Sequence, residues 1–111
     1  MTEYEIREYL SEKGDSPFGN WLADLRDFRA RARIRIRLDR LRLGNLGDCS
    51  SVGGGVLEMR LFYGPGYRVY FGLQGANVVV LLYGGTKSTQ QRDIRQAKAF
   101  WANYRKRNEH S

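Results

Sequence analysis

Cysteine and histidine are nearly missing from this chain of 111 residues. Cys49 is the only cysteine, which excludes an intramolecular disulfide framework and a cysteine-built zinc site. His110 is the only histidine and stands one residue from the end, which excludes a His-driven triad and an HExxH metal site. No cofactor is expected. No apolar run approaches the roughly 20 residues of a membrane span. The N-terminus is acidic and does not read as a signal peptide. These absences point to a soluble, cytoplasmic protein with no membrane partner.

What is present supports a folded core. Hydrophobic residues make up 41% and aromatics 13%, more than a disordered chain usually carries. The length fits one domain, residues 1–111. The net charge is +7, and it is unevenly spread. Residues 1–15 are net acidic. Residues 26–42 carry eight arginines against Asp27 and Asp39, and residues 87–107 form a second basic stretch with Asp93 as its one acid. Such stripes suggest an acidic partner, either nucleic acid or an acidic protein. For any single arginine a solvated helix face is the commoner role. Within the stripes Arg29, Arg33, Arg37, Arg92 and Arg95 are the candidates for RNA contact.

Periodicity orders the elements. Residues 4–10 read as a short strand. Ser16 followed by Pro17 marks a helix start, and Phe18, Trp21, Leu22 and Leu25 continue at helical spacing. Residues 29–42 fit two periods. RARARIRIRL alternates like a strand, while Ala30, Ile34, Leu38 and Leu41 fall on one helical face. The length and the Ala, Arg and Leu content favour a helix, capped by Asp27, ended by Gly44 and paired with the preceding helix as a hairpin. Gly44, Gly47 and the Gly53-Gly54-Gly55 run mark loops, and the run lacks the spacing of a phosphate loop. Residues 56–63 and 67–71 alternate as strands around a Tyr63-Gly64-Pro65-Gly66 turn. Residues 78–83 are continuously apolar, as in a central strand. Ser88 or Thr89 starts a last helix with Ile94, Ala97, Trp101 and Tyr104 in one stripe. Trp21 and Trp101 read as core residues and Cys49 as inert. The expected architecture is α+β, in the order β-α-α-β-β-β-α. It has a small, mainly antiparallel sheet, an N-terminal helical hairpin and a C-terminal helix, with the helices on one face.

This order, with the strings LEMRLFYGPGYRVYFG and LLYGGTKSTQQRDIRQAKAFW, resembles the RelE/ParE/HigB toxins of bacterial toxin–antitoxin modules. The branch it looks most like is that of the addiction module killer proteins. The resemblance spans residues 4–107. It implies a cognate antitoxin, often a helix-turn-helix protein, and a target that is either the translating ribosome with its mRNA or, as in the ParE branch, DNA gyrase. A non-toxic nucleic-acid-binding module is a third reading.

RNA cleavage in such proteins implies metal-independent attack of the 2′-hydroxyl on the adjacent phosphate. Cationic donors must stabilise the phosphorane-like charge, and protons must leave the 2′-oxygen and reach the 5′-oxygen. With no histidine in the body of the chain, Lys, Arg, Tyr or Glu must serve. Arg60 and Arg68 are the only basic residues between positions 43 and 86, and strand alternation turns both away from their apolar neighbours. The resemblance implies the same two arginines. Lys87 follows the central strand, where the family often carries a basic residue, and it is a candidate acid or base. Ser88 stands where some relatives carry a second basic residue, and no tyrosine stands near Ile94 where others carry one. Tyr70 shares the Arg68 face and is a candidate for base stacking or proton relay, with packing its commoner role. Glu58 is a candidate base, or orients Arg60. Arg68→Ala is expected to lose activity with little effect on folding.

Overall fold

The computed structural model describes residues 3–109. His110 lies outside the described residues. The first strand, β1 (Glu5–Glu8), is followed by α1 (Pro17–Asp24) and α2 (Phe28–Arg42). The chain continues through β2 (Cys49–Gly53), β3 (Val56–Leu61), β4 (Tyr67–Gln74) and β5 (Val78–Thr86). A 3₁₀ turn, Lys87–Thr89, leads into α3 (Gln90–Asn108). The sheet order is β1-β5-β4-β3-β2, with β1 parallel to β5 and the other neighbours antiparallel.

Local signals place the helices where the sequence put them. Ser16 accepts the Gly19 amide at 2.9 Å, and Pro17 opens the first turn of α1. Asp27 accepts the amides of Arg29 and Ala30 at 3.0 and 3.2 Å, satisfying donors that the first turn of α2 leaves free. The helical period, not the alternating one, governs residues 29–42. Ala30, Ile34 and Leu41 are buried, and Leu38 packs against the same cluster.

Two expectations need correction. β2 is an additional strand inside the stretch read as loop. It is a sheet edge of CSSVG sequence, mostly exposed, so it carries little apolar alternation to read. The Gly53-Gly54-Gly55 run is its hairpin turn to β3, with φ of 93°, 63° and 83°. The helices also do not share one face. Phe18, Leu22, Ala30 and Ile34 join Met59, Val69, Phe71 and Leu81 in one cluster. Ala97 and Trp101 of α3 join Val56, Tyr70, Val80 and Leu82 in another. The sheet is therefore covered on both sides, which its continuously apolar β5 requires. A register shift between Tyr70 and Phe71 turns both Leu82 and Tyr83 of β5 toward α3.

The paired glycines of the GGT segment serve these two layers. A Cβ on Gly84 would stand 2.2 Å from the Trp21 ring, and one on Gly85 would stand 1.8 Å from the Asp93 carboxylate. Among the described residues no helix is long and apolar enough to cross a membrane.

Candidate functional site

The β3–β4 register sets Arg60 directly opposite Arg68 and Glu58 directly opposite Tyr70. Pleat alternation puts all four on the α3 side of the sheet. Two like charges facing each other are unfavourable unless each finds a counterion. Arg60 finds Asp48, with Nη2 at 3.2 Å from Oδ1, across the start of β2. Arg68 finds Glu58, with Nε at 3.6 Å from Oε2. That separation makes an ion pair and not a hydrogen bond. The same Arg68 donates from Nη1 to the Gly66 carbonyl at 2.9 Å.

Glu58 is the hub. It is 2% exposed, and its Oε2 accepts from the Tyr70 hydroxyl at 3.0 Å and from Gln90 Nε2 at 2.8 Å. It does not touch Arg60 through any of these bonds, so its orienting role belongs to Arg68, a correction to the sequence reading. Tyr70 is fully buried. Burial first, then the Glu58 charge and its hydrogen bond, push the phenol well above its ordinary range. Tyr70 therefore remains a donor to Glu58 and has no free ring face for a base. Alternation does turn Arg68 from its apolar neighbours, but its side chain retains only 11% exposure, which removes the ground for expecting Arg68→Ala to have little effect on folding.

Lys87 meets this cluster at the Gly66 turn. The Gly66 carbonyl accepts both the Lys87 amide at 2.9 Å and the Arg68 guanidinium. Gly66 has φ of 80°, and a Cβ there would stand 3.2 Å from Arg68 Nη1 and 3.4 Å from Lys87 Cβ. Of the five candidate catalytic side chains, Lys87 is the exposed one. It opens a cleft of about 500 Å³ that runs along the first turn of α3 to Arg92 and Arg95, both exposed. Thr89 donates to Asp93, which is 1% exposed and lies 3.6 Å from Arg92 Nε. The cleft thus brings the positive end of a 19-residue helix together with three cationic side chains, a setting suited to phosphate.

The α2 stripe divides. Arg29 and Arg33 are exposed, and the Arg33 guanidinium lies 4.4 Å from the Tyr63 ring centroid. Arg37 is turned inward and donates to the Arg60 carbonyl at 2.8 Å. It ties α2 to the end of β3 and leaves the set of RNA-facing candidates. Gln90, Asp48 and Asp93 were not legible as site residues. Asp48 acquires its role only through the unforeseen strand β2, and Gln90 through the docking of α3. Cys49 is half-buried, donates to the Leu46 carbonyl at 2.7 Å, and has its thiol pushed up by burial, which fits an inert residue.

No family model matches the chain. A Haemophilus influenzae protein described as an uncharacterized protein is 51% identical over 81 residues, covering 73% of this chain and 82% of that protein. At that identity and coverage, the chain belongs to the same family as the H. influenzae protein.

Proposed function

We propose that the chain is the toxin of a RelE/ParE/HigB-like toxin–antitoxin module and a ribosome-dependent mRNA endonuclease. The observation that carries this reading is the meeting of Arg68, held by Glu58, with exposed Lys87 and the α3 cleft at one glycine turn. In the reaction the 2′-oxygen bonds to phosphorus and the P–O5′ bond breaks. Arg68 and the positive end of α3, with Arg92 and Arg95, stabilise the negative charge that builds on the phosphoryl oxygens. Lys87 supplies the proton to the departing 5′-oxygen. The 2′-hydroxyl proton leaves to an acceptor outside the cluster, rRNA or water, because Glu58 and Tyr70 are buried and bonded to each other. That division of labour fits a toxin that cuts only on the ribosome. The partners are then the ribosome with its mRNA and a neighbouring antitoxin that restrains the toxin.

The burial of Glu58 and Tyr70 also favours a second reading, a ParE-like gyrase inhibitor without catalysis. A translation reaction with a defined mRNA, read by primer extension, separates them. New 5′ ends within translated codons, lost in Lys87→Ala, support the endonuclease. Intact mRNA together with accumulation of relaxed DNA in arrested cells supports the inhibitor.

A further inference from the structure

Phe62 is 86% exposed, the most exposed of the large apolar side chains among the described residues. It follows β3 directly and lines a groove of about 240 Å³ between that strand's end and α2. Arg33, Ile36, Arg37 and Arg40 form the α2 wall, and Tyr63 stands beside Phe62 on the other. Among the described residues no carboxylate lines this groove. Arg33 is already stacked on Tyr63, and Arg37 is fixed by its bond to the Arg60 carbonyl. The groove therefore offers an unstacked aromatic face flanked by cations, the combination that binds single-stranded nucleic acid through base stacking and phosphate contact.

We propose that this groove is a base-stacking subsite for single-stranded RNA, with one base on Phe62 and the flanking phosphates on Arg33 and Arg40. The inference rests on the reading of the chain as an RNA-directed toxin and names a second contact for the same strand. Phe62 and Tyr63 enter the turn whose last residue, Gly66, joins Arg68 and Lys87. A strand stacked on Phe62 can follow that turn toward the α3 cleft. An acidic peptide is the competing occupant. It would satisfy the arginines, but it has no use for a flat aromatic face as distinct from any apolar one.

The test is equilibrium binding of a labelled 2′-O-methyl hexa-adenosine oligonucleotide, read by fluorescence anisotropy. The methyl group removes the nucleophile, so binding is measured without cleavage. Phe62→Ala should weaken binding about tenfold, the loss of one base stack. Phe62→Leu should weaken it nearly as much, and Phe62→Trp should preserve or tighten it. An abasic oligonucleotide of equal charge should be indifferent to all three. The salt slope should be unchanged by Phe62→Ala but should fall by about 0.7 in Arg33→Ala or Arg40→Ala. Phe62 is exposed, so these variants keep their fold, which circular dichroism checks. Unchanged affinity in Phe62→Ala, wild-type affinity in Phe62→Leu, or an equal loss with the abasic strand would each overturn the proposal. So would a Phe62→Ala variant that loses binding to a poly-glutamate peptide while keeping its affinity for RNA. Intact mRNA in the translation reaction together with the expected anisotropy pattern would refute the nuclease and leave the subsite standing. Cleaved mRNA with no Phe62 effect would do the reverse.

Discussion

At the scale of single residues, Arg68 ties the stability of the fold to the proposed cleavage. Its guanidinium is the counterion of Glu58, and Glu58 is nearly sealed from water. Removing one member of a buried pair leaves an uncompensated charge, which typically costs about 3–5 kcal/mol. Arg68→Ala should therefore destabilise the fold by that order, seen as a lowered urea midpoint, in addition to abolishing cleavage. Arg68→Ala paired with Glu58→Gln should recover much of the stability and none of the activity. That pattern separates the two roles. Tyr70 gives a pH signature. In the unfolded chain its phenol ionises near pH 10, while in the folded chain burial and Glu58 hold the proton on. Below about pH 10 both states keep the proton, and this contribution is fully present. Above it the unfolded state alone releases the proton, so stability falls as pH rises. Tyr70→Phe should cost about 1.5–3 kcal/mol at pH 7, the value of a hydrogen bond to a charged group. It should also flatten the loss of stability between pH 10 and 11. Urea titrations of both proteins at pH 7, 9, 10 and 11 check this, the difference between them isolating Tyr70 from the other titrating groups.

At the scale of elements, β5 and its glycine pair hold the two helical layers in place. Gly84→Ala would drive a methyl into Trp21, and Gly85→Ala into Asp93. Overpacking of this kind costs about 1–3 kcal/mol. The two should differ in consequence. Gly84→Ala strains the α1 side and should lower the melting temperature while leaving kcat of cleavage near wild type. Gly85→Ala displaces the first turn of α3, with Asp93, Thr89 and the neighbouring Lys87, and should reduce kcat as well. Calorimetry alongside single-turnover cleavage tells them apart. The same elements show what a sequence discloses. The Ser16-Pro17 start, the Asp27 cap and the Ala30-Ile34-Leu38-Leu41 face are local signals, and each was legible. The placement of Arg60 and Arg68 on one face was legible from alternation. The partners were not, because Asp48, Glu58 and Gln90 meet their arginines or each other only through pairing and docking across the chain. β2 escaped notice since an exposed edge strand needs no apolar pattern. The second helical layer escaped because the α3 stripe does not say which sheet face it covers.

At the scale of the whole molecule, charge is organised in two layers. The α2 arginines stand on one side of the sheet and the α3 cations on the other. A straight phosphate backbone cannot engage both, whereas a strand that bends around the Tyr63–Gly66 turn, or two separate RNA segments, can. Each exposed arginine that neutralises a phosphate adds about 0.7–0.9 to the slope of log affinity against log salt. Arg29→Ala or Arg33→Ala on one side, and Arg92→Ala or Arg95→Ala on the other, should each reduce the slope of ribosome binding by about that amount. Contacts made independently on separate faces should add. A variant carrying one change from each layer should lose about twice the slope of either single change. Arg37→Ala should behave differently. Its guanidinium is committed to the Arg60 carbonyl, so its loss should lower stability and leave the slope near wild type. Binding to purified ribosomes across a salt series, with thermal denaturation of each variant, reads both effects. A double variant with no greater loss than the singles would show that only one layer faces RNA. The other would then be open to a protein partner, the position that the proposed antitoxin would need to hold this chain without competing for every RNA contact.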